Sequence, residues 1–362
     1  MVALSCKANA EEAISRLCQL YSGDGKDRIF ACFSLPSRAL AEMRRRDSDG
    51  FCDYPEAEER LAFWQEHLAE RAPLEDDSIP SLYLSEFDQG LFGGMLGGDV
   101  RFIRDTGNGF VSSMVPPLLS DWSELESLAV APGNPWFERY LSRLALYSQA
   151  ASGRFGISHL IVVDSLNFAF ELVGATNAYL GLIECPDLVC RAIELAFHVN
   201  VKVLDAFFAT VLPLAGGTCS LTAEWLPGRV VNESVDPFHM TSVAYFEEWG
   251  REPLQRMFDR YDGGVLHLHG NGRHLLEAVR SLRGLKAVAL GDDKGYPPAS
   301  DVLGELRRRA GDVPLSVSIG YEPFAERLRR HDLPGGVLYR VSGASTTAEA
   351  NHCMDAVRTY RL

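Results

Sequence analysis

Paired cysteines are missing. The eight cysteines, Cys6, Cys18, Cys32, Cys52, Cys185, Cys190, Cys219 and Cys353, are scattered without a CxxC pair, which argues against a zinc ribbon or a disulfide framework and leaves reduced thiols as the expectation. No apolar run approaches the roughly 18 to 20 residues that a membrane span needs. The N-terminus, MVALSCKANAEEAISRL, carries neither a basic leading region nor a continuous apolar stretch, so no signal peptide is expected and the chain reads as soluble and cytoplasmic, with no membrane partner. Positive charge is also in short supply. Lys and Arg number 35 against 49 Asp and Glu, a formal net charge of -14, whereas a nucleic-acid binder presents a basic face to the phosphate backbone. The compact run Arg44-Arg45-Arg46 reads as a solvated helix end. No GxGxxG follows the first strand, and the glycine-rich GLFGGMLGGD lacks a GK[ST] ending, so it reads as a closely packed connector and not a phosphate loop.

What is present is a globular mix, 46% hydrophobic over 362 residues, enough for one large α/β unit. Residues 1–75 read as a helical extension: 11–21 and 56–70 repeat apolar residues at helical spacing, and SLPSRALAEMRRR opens with a helix-start signal. From Asp76 the texture changes to short apolar runs, each followed by a turn and an amphipathic stretch. Strands are expected near 81–86, 159–164, 219–224, 264–269, 285–290, 314–319 and 336–341, with helices at 135–151, 186–210, 242–261, 272–282, 299–310, 322–330 and 347–360. Strand and helix alternate throughout, and runs such as LIVV and LKAVAL suit burial on both faces. The expected fold class is α/β, a (β/α)8 TIM barrel over 76–362.

In such a barrel the chemistry sits where strands end. The strand ends nominate Glu86 and Asp88, Asp164 and Asn167, Glu224 and Trp225, His267 and His269, Asp292 and Asp293, Tyr321 and Glu322, and Ser342. Side chains alternate along a strand, so His267 and His269 in GVLHLHGNG share one face while Leu266 and Leu268 share the other. Gly270 and Gly272 keep the following loop tight. An HxH pair can ligate zinc or another divalent metal if neighbouring strand ends add a donor, with Glu224, His239, Cys219, Asp292 and Ser342 as candidates. The same pair also suits a metal-free substrate pocket. Asp292 and Asp293 could supply a base, although GDDKG is also an ordinary turn. Glu224 beside Trp225 could carry a raised pKa and act as an acid. Cys219 could act as a nucleophile only with a base beside it.

The run VLHLHGNGRHLLEAVRSLRGLKAVALGD resembles the segment of the uroporphyrinogen decarboxylase superfamily, including its corrinoid and coenzyme M methyltransferase relatives, in which a strand ends in His-x-Cys-Gly-Asn or His-x-Asp-Gly before a helix. DSLNFAFELVGATNAYLGLIECPDLVCRAIELAF, GGTCSLTAEWLPGR and FHMTSVAYFEEWGREPLQR resemble other family segments in the same order, and the similarity covers roughly residues 76–360. The porphyrin-decarboxylating members carry an Arg-Gln-Ala-Gly-Arg-Tyr segment that has no match in residues 1–100. In the thiol methyltransferase branch, the resemblance implies a zinc held by His, Cys and Cys. The family His falls on His267, the first Cys on His269 and the second near Ser342 in YRVSGASTTAEAN, so both cysteines are replaced.

The resemblance therefore implies a cytoplasmic enzyme acting on a small-molecule substrate, of methyltransferase type, with a metal-free lyase or decarboxylase-like enzyme, or a non-catalytic binding member, as alternatives. His267 and His269 are assigned to a metal, Glu224 and Asp292 to catalysis, and Asp164, Asn167, Trp225, Tyr321 and Ser342 to substrate. A corrinoid would come only on a separate partner protein, since no DxHxxG motif is present, and a homodimer is compatible with the sequence.

Overall fold

The computed structural model describes residues 3–362. Its strands, in chain order, are β1 (Ile29–Ser34), β2 (Gly50–Cys52), β3 (Ser81–Tyr83), β4 (Arg101–Asp105), β5 (Phe110–Met114), β6 (Gly156–His159), β7 (Gly217–Ser220), β8 (Glu224–Pro227), β9 (Val231–Ser234), β10 (Gly264–Leu268), β11 (Leu285–Leu290), β12 (Leu315–Gly320) and β13 (Val337–Ser342). The fold is mixed α/β, with a central parallel sheet and many helices. Six strands, in the order β1, β13, β12, β11, β10, β9, run parallel in one sheet. In a second sheet β3, β6 and β7 are parallel and β8 returns antiparallel. The two sheets meet where Ile161 bridges Asn232 in parallel and Val162 N–H donates to the Asn232 carbonyl at 2.9 Å. A separate antiparallel sheet joins β2, β4 and β5.

Burial explains these choices. In β11, LKAVAL buries Ala287 to Leu290 without interruption, as a strand covered on both faces must. In β10 the two faces part company. Leu266 and Leu268 join the large core with Leu254, Met257 and Leu276 of the covering helices, whereas Val265 packs with Ala223, Leu226, Val230 and Ala287 on the other side. The longest helix, Pro186–Thr210, starts with proline at its first position and Asp187 in its first turn, both suited to an N-terminus. Among the described residues no single helix is long and apolar enough to cross a membrane.

Four expectations need correction. The strand expected near 159–164 lies earlier, as β6 over Gly156–His159, with Ile161 making only an isolated bridge. The helical reading of residues 1–75 fails at β1, which pairs along its whole length with β13, from Ile29 opposite Val337 to Ser34 opposite Ser342. IFACF is short and sits between helices, so its local pattern does not announce a strand, but all five residues are buried. The segment 219–224 is not one parallel strand, because it contains the turn of the antiparallel hairpin β7–β8. The stretch 272–282 is mostly a 3-10 turn over Gly270–Leu275 followed by the short helix Leu276–Val279. The glycine-rich 90–99 segment opens as the helix Gln89–Met95, and a Cβ on Gly93 would lie 2.1 Å from Val115.

Between β1 and β3 the ladder is replaced by side chains. Ala31 and Phe33 N–H groups, which a further strand would otherwise take, donate to Asp77 Oδ2 at 2.9 Å and Asp76 Oδ2 at 2.7 Å. Lys7 Nζ lies 2.6 Å from Asp76, and Arg16 Nε 2.5 Å from Asp77, all four side chains being buried. Burial would raise both acids. Lys7 and Arg71 overcome it at Asp76, holding that carboxyl below its ordinary range, whereas burial outweighs Arg16 at Asp77. Removing one partner of such a pair leaves the other charge stranded, so Arg16→Met is expected to cost about 3–5 kcal/mol in urea unfolding. A loss under about 1 kcal/mol, the level of an exposed pair, would show that this seam does not hold the strands.

Candidate active site

β10 and the turn after it carry His267 and His269 on one face, with ring centroids 4.5 Å apart and planes inclined by 79°. After the neighbouring strand β11 comes Gly291-Asp292-Asp293. Asp293 Oδ1 lies 2.9 Å from His269 Nδ1, and its other oxygen accepts the Asn271 N–H at 3.4 Å. Burial pushes the Asp293 carboxyl up, but His269 and the backbone N–H groups overcome it and hold the acid below its ordinary range. An ionised carboxylate can only accept, so the Nδ1 of His269 facing Asp293 carries a proton. The His269 side chain is 38% exposed, which leaves it open to a ligand.

Two further groups complete the cluster. Asp236 Oδ1 lies 3.8 Å from His269 Nε2 and 3.6 Å from His239 Nδ1, and the His239 and His269 rings are 5.6 Å apart. His239 is buried and its Nε2 has no hydrogen-bond partner. Burial, against the pull of Asp236 and with the help of the neighbouring imidazoles, presses its pKa down to about 4. His267 is also lowered, first by burial and then by His269. Both rings are therefore neutral near pH 7. Glycine makes the crowding sterically feasible: a Cβ on Gly272 would fall 2.1 Å from His239 Cδ2, and one on Gly291 3.0 Å from His267 Cε1.

A cavity of about 550 Å³ opens at the carboxyl ends of β1 and β3, where Ser34, His67, Arg71, Tyr83, Glu224 and Arg340 contribute to its wall. Glu224 belongs here. Its backbone sits in the left-handed region at φ 63°, and Oε2 accepts the Ile79 N–H at 3.1 Å. Its pKa is raised, as the sequence suggests, but by burial acting against Arg340 and Arg71. The Trp225 indole turns away, 2% exposed, and donates to the Leu214 carbonyl at 2.7 Å.

The remaining candidates lie elsewhere. Asp292 accepts from Arg273 at 3.0 Å and from the Ala299 N–H at 2.7 Å, so of the adjacent acids it is Asp293 that joins the histidines. Asp164 is buried with both carboxylate oxygens unpartnered, and burial raises it to about 6. Asn167 Nδ2 donates to the Ser234 carbonyl at 2.7 Å. Tyr321 heads the helix Tyr321–Arg330 with its ring 6.4 Å from Phe33, Glu322 is exposed, and Ser342 is exposed opposite Ser34. Glu86 pairs with Arg143 at 3.1 Å and accepts from Tyr147, while burial lifts Asp88 to about 7. Cys219 is buried and pushed up to about 12 by burial and then Glu224, the opposite of an activated thiol. Asp236 and Arg340 were not nominated by strand-end position: Asp236 heads a 3-10 turn over Asp236–Met240 just after β9, a strand not expected from the sequence, and Arg340 lies inside a strand.

Among the described residues no group of three or more His, Cys, Asp or Glu side chains is arranged to hold a metal ion. Glu224, which the sequence offers as a further donor, stands instead in the cavity wall against Ile79.

No family model and no curated protein matches the chain. In fold it is similar to a methyltransferase from Methanosarcina mazei, with a TM-score of 0.62 over 96% of this chain and 98% of that one, at 15% sequence identity. What the two share at that identity is architecture.

The two adjacent acids are expected to separate by assay. Asp292→Asn should lower stability by about 1–3 kcal/mol, because it weakens a charged bond to the buried Arg273. Asp293→Asn should leave thermal stability nearly unchanged and instead shift the His269 ring resonances in an NMR titration. Equal stability losses in both variants would contradict this division.

Proposed function

We propose that the chain is a methyltransferase-type enzyme of the uroporphyrinogen decarboxylase superfamily, built on a (β/α)8 barrel, and that His269 is its general base. The observation that carries this is the 2.9 Å contact between His269 Nδ1 and Asp293, with Nε2 of the partly exposed ring making no hydrogen bond and its nearest charged neighbour, Asp236 Oδ1, 3.8 Å away. The barrel reading is supported by parallel strands β1, β3, β6 and β9 to β13, by the β1–β13 pairing and by the bridge between β6 and β9. In that arrangement all their carboxyl ends form one rim. The fold likeness to a methyltransferase supports the reaction class.

The proposed step uses the chain's own residues. The acceptor, a small molecule with an ionisable nucleophile, gives its proton to His269 Nε2, and Asp293 stabilises the resulting imidazolium. The freed lone pair forms the new bond to the methyl carbon, and the donor leaves with the electrons of the bond that breaks. Neutral His267 and His239 can hydrogen-bond the acceptor without adding positive charge that would oppose protonation of His269. The donor would be a methyl-corrinoid carried by a separate partner protein.

Incubation with methylcobalamin and a panel of small thiols and amines, read by the cobalamin absorbance change, tests this. Wild type is expected to demethylate the cofactor with at least one acceptor, and His269→Ala to do so about 10²–10⁴-fold more slowly. Undiminished turnover in His269→Ala, or none by folded wild type with any acceptor, would remove the reading.

A further inference from the structure

Arg340 is a charge inside a buried strand. Its neighbours in the ladder are Cys32 of β1 and Ser318 of β12, and the residues on either side of it, Tyr339 and Val341, are fully buried. Its stem rises beside Leu338, which packs with Phe30 and Cys32, and the side chain reaches the wall of the 550 Å³ cavity. Among the described residues the structure gives its guanidinium no hydrogen bond and no ion pair. A guanidinium carries five donors and is costly to leave partly desolvated without an acceptor.

The other cations in that wall are already engaged. Arg71 donates to the Phe33 carbonyl at 3.2 Å and to Ser78 Oγ at 3.1 Å, and Arg44 to the carbonyls of Thr106 at 3.1 Å and Gly107 at 2.9 Å. His67 bonds Ser37 Oγ at 2.9 Å, and burial presses it to a pKa of about 4, so it is neutral. Glu224 adds a carboxyl to the same wall. One uncommitted cation opposite an acid suits a single negative charge and disfavours a dianionic phosphate. The planar fork of Arg340 matches the two oxygens of a carboxylate. The rest of the lining includes Leu35, Trp64, Tyr83 and Phe110, an apolar and aromatic surface, and the volume lies within the range of small-ligand pockets.

We propose that this cavity binds a small monocarboxylate with an apolar or aromatic body, anchored through its carboxylate on Arg340. As substrate recognition the proposal rests on the reading of His269 as base, whereas the binding is measured without turnover.

The test is calorimetric titration of the full chain with phenylacetate and 3-phenylpropionate, with phenylacetamide and benzylphosphonate as controls. Wild type is expected to bind at least one carboxylate saturably, the amide at least about 10-fold more weakly, and the phosphonate more weakly than its carboxylate counterpart. Arg340→Lys, which keeps the charge and loses the fork, should weaken carboxylate binding about 10-fold, and Arg340→Met should abolish it. Circular dichroism checks the fold, and if Arg340→Met does not fold, Arg340→Lys decides. No saturable carboxylate binding by wild type, unchanged binding in the folded variant that decides, or tighter binding of the amide or phosphonate overturns the proposal. Carboxylate binding as expected with no methyl transfer leaves the pocket standing and removes the proposed function.

Discussion

Two adjacent aspartates hold the first strand in place. β1 meets β13 through an ordinary parallel ladder, but toward β3 its amides find carboxylates instead of a strand: Ala31 bonds Asp77 and Phe33 bonds Asp76. Unbonded, those N–H groups would be buried donors without acceptors, each costing about 1–3 kcal/mol. Taking two carboxylates into the interior is itself unfavourable, and Lys7 and Arg16 from the N-terminal segment offset that cost as buried partners. The N-terminal residues are thus structural members of the sheet, because without their cations the seam would bury uncompensated charge.

The candidate site inherits its geometry from parallel strands. Since β10 and β11 run the same way and pair His267 with Ala289, the turns that follow them emerge side by side. That adjacency lets Asp293 reach His269. The same direction of travel in β1 and β13 sets Ser34 and Arg340 in the wall of one cavity.

Much of the sheet was legible from the chain. The runs at 264–269, 285–290, 314–319 and 336–341 coincide with β10 to β13 within about a residue or two, because continuous apolar stretches bounded by glycine and aspartate have few other uses. β9 was not, since VNES is short and polar; its burial comes from tertiary packing, with Asn232 bonded to Ser220 at 2.7 Å. Period-two alternation correctly put His267 and His269 on one side. It could not choose between Asp292 and Asp293, which lie beyond the last paired residue, where alternation no longer governs direction. Arg273 makes that choice by capturing Asp292. Arg340 was invisible for a related reason: that a strand arginine lacks a partner is a statement about every other residue near it.

If Asp293 orients His269 as a base, the ring must carry its proton on Nδ1 and present an unprotonated Nε2. Long-range proton–nitrogen correlation NMR on imidazole-labelled protein at pH 8, with His269→Gln to assign the signals, reads this directly. The expected result is the Nδ1–H tautomer in wild type and a mixture in Asp293→Asn. A dominant Nε2–H tautomer for His269 in wild type would contradict the assignment of the base and the proton path built on it.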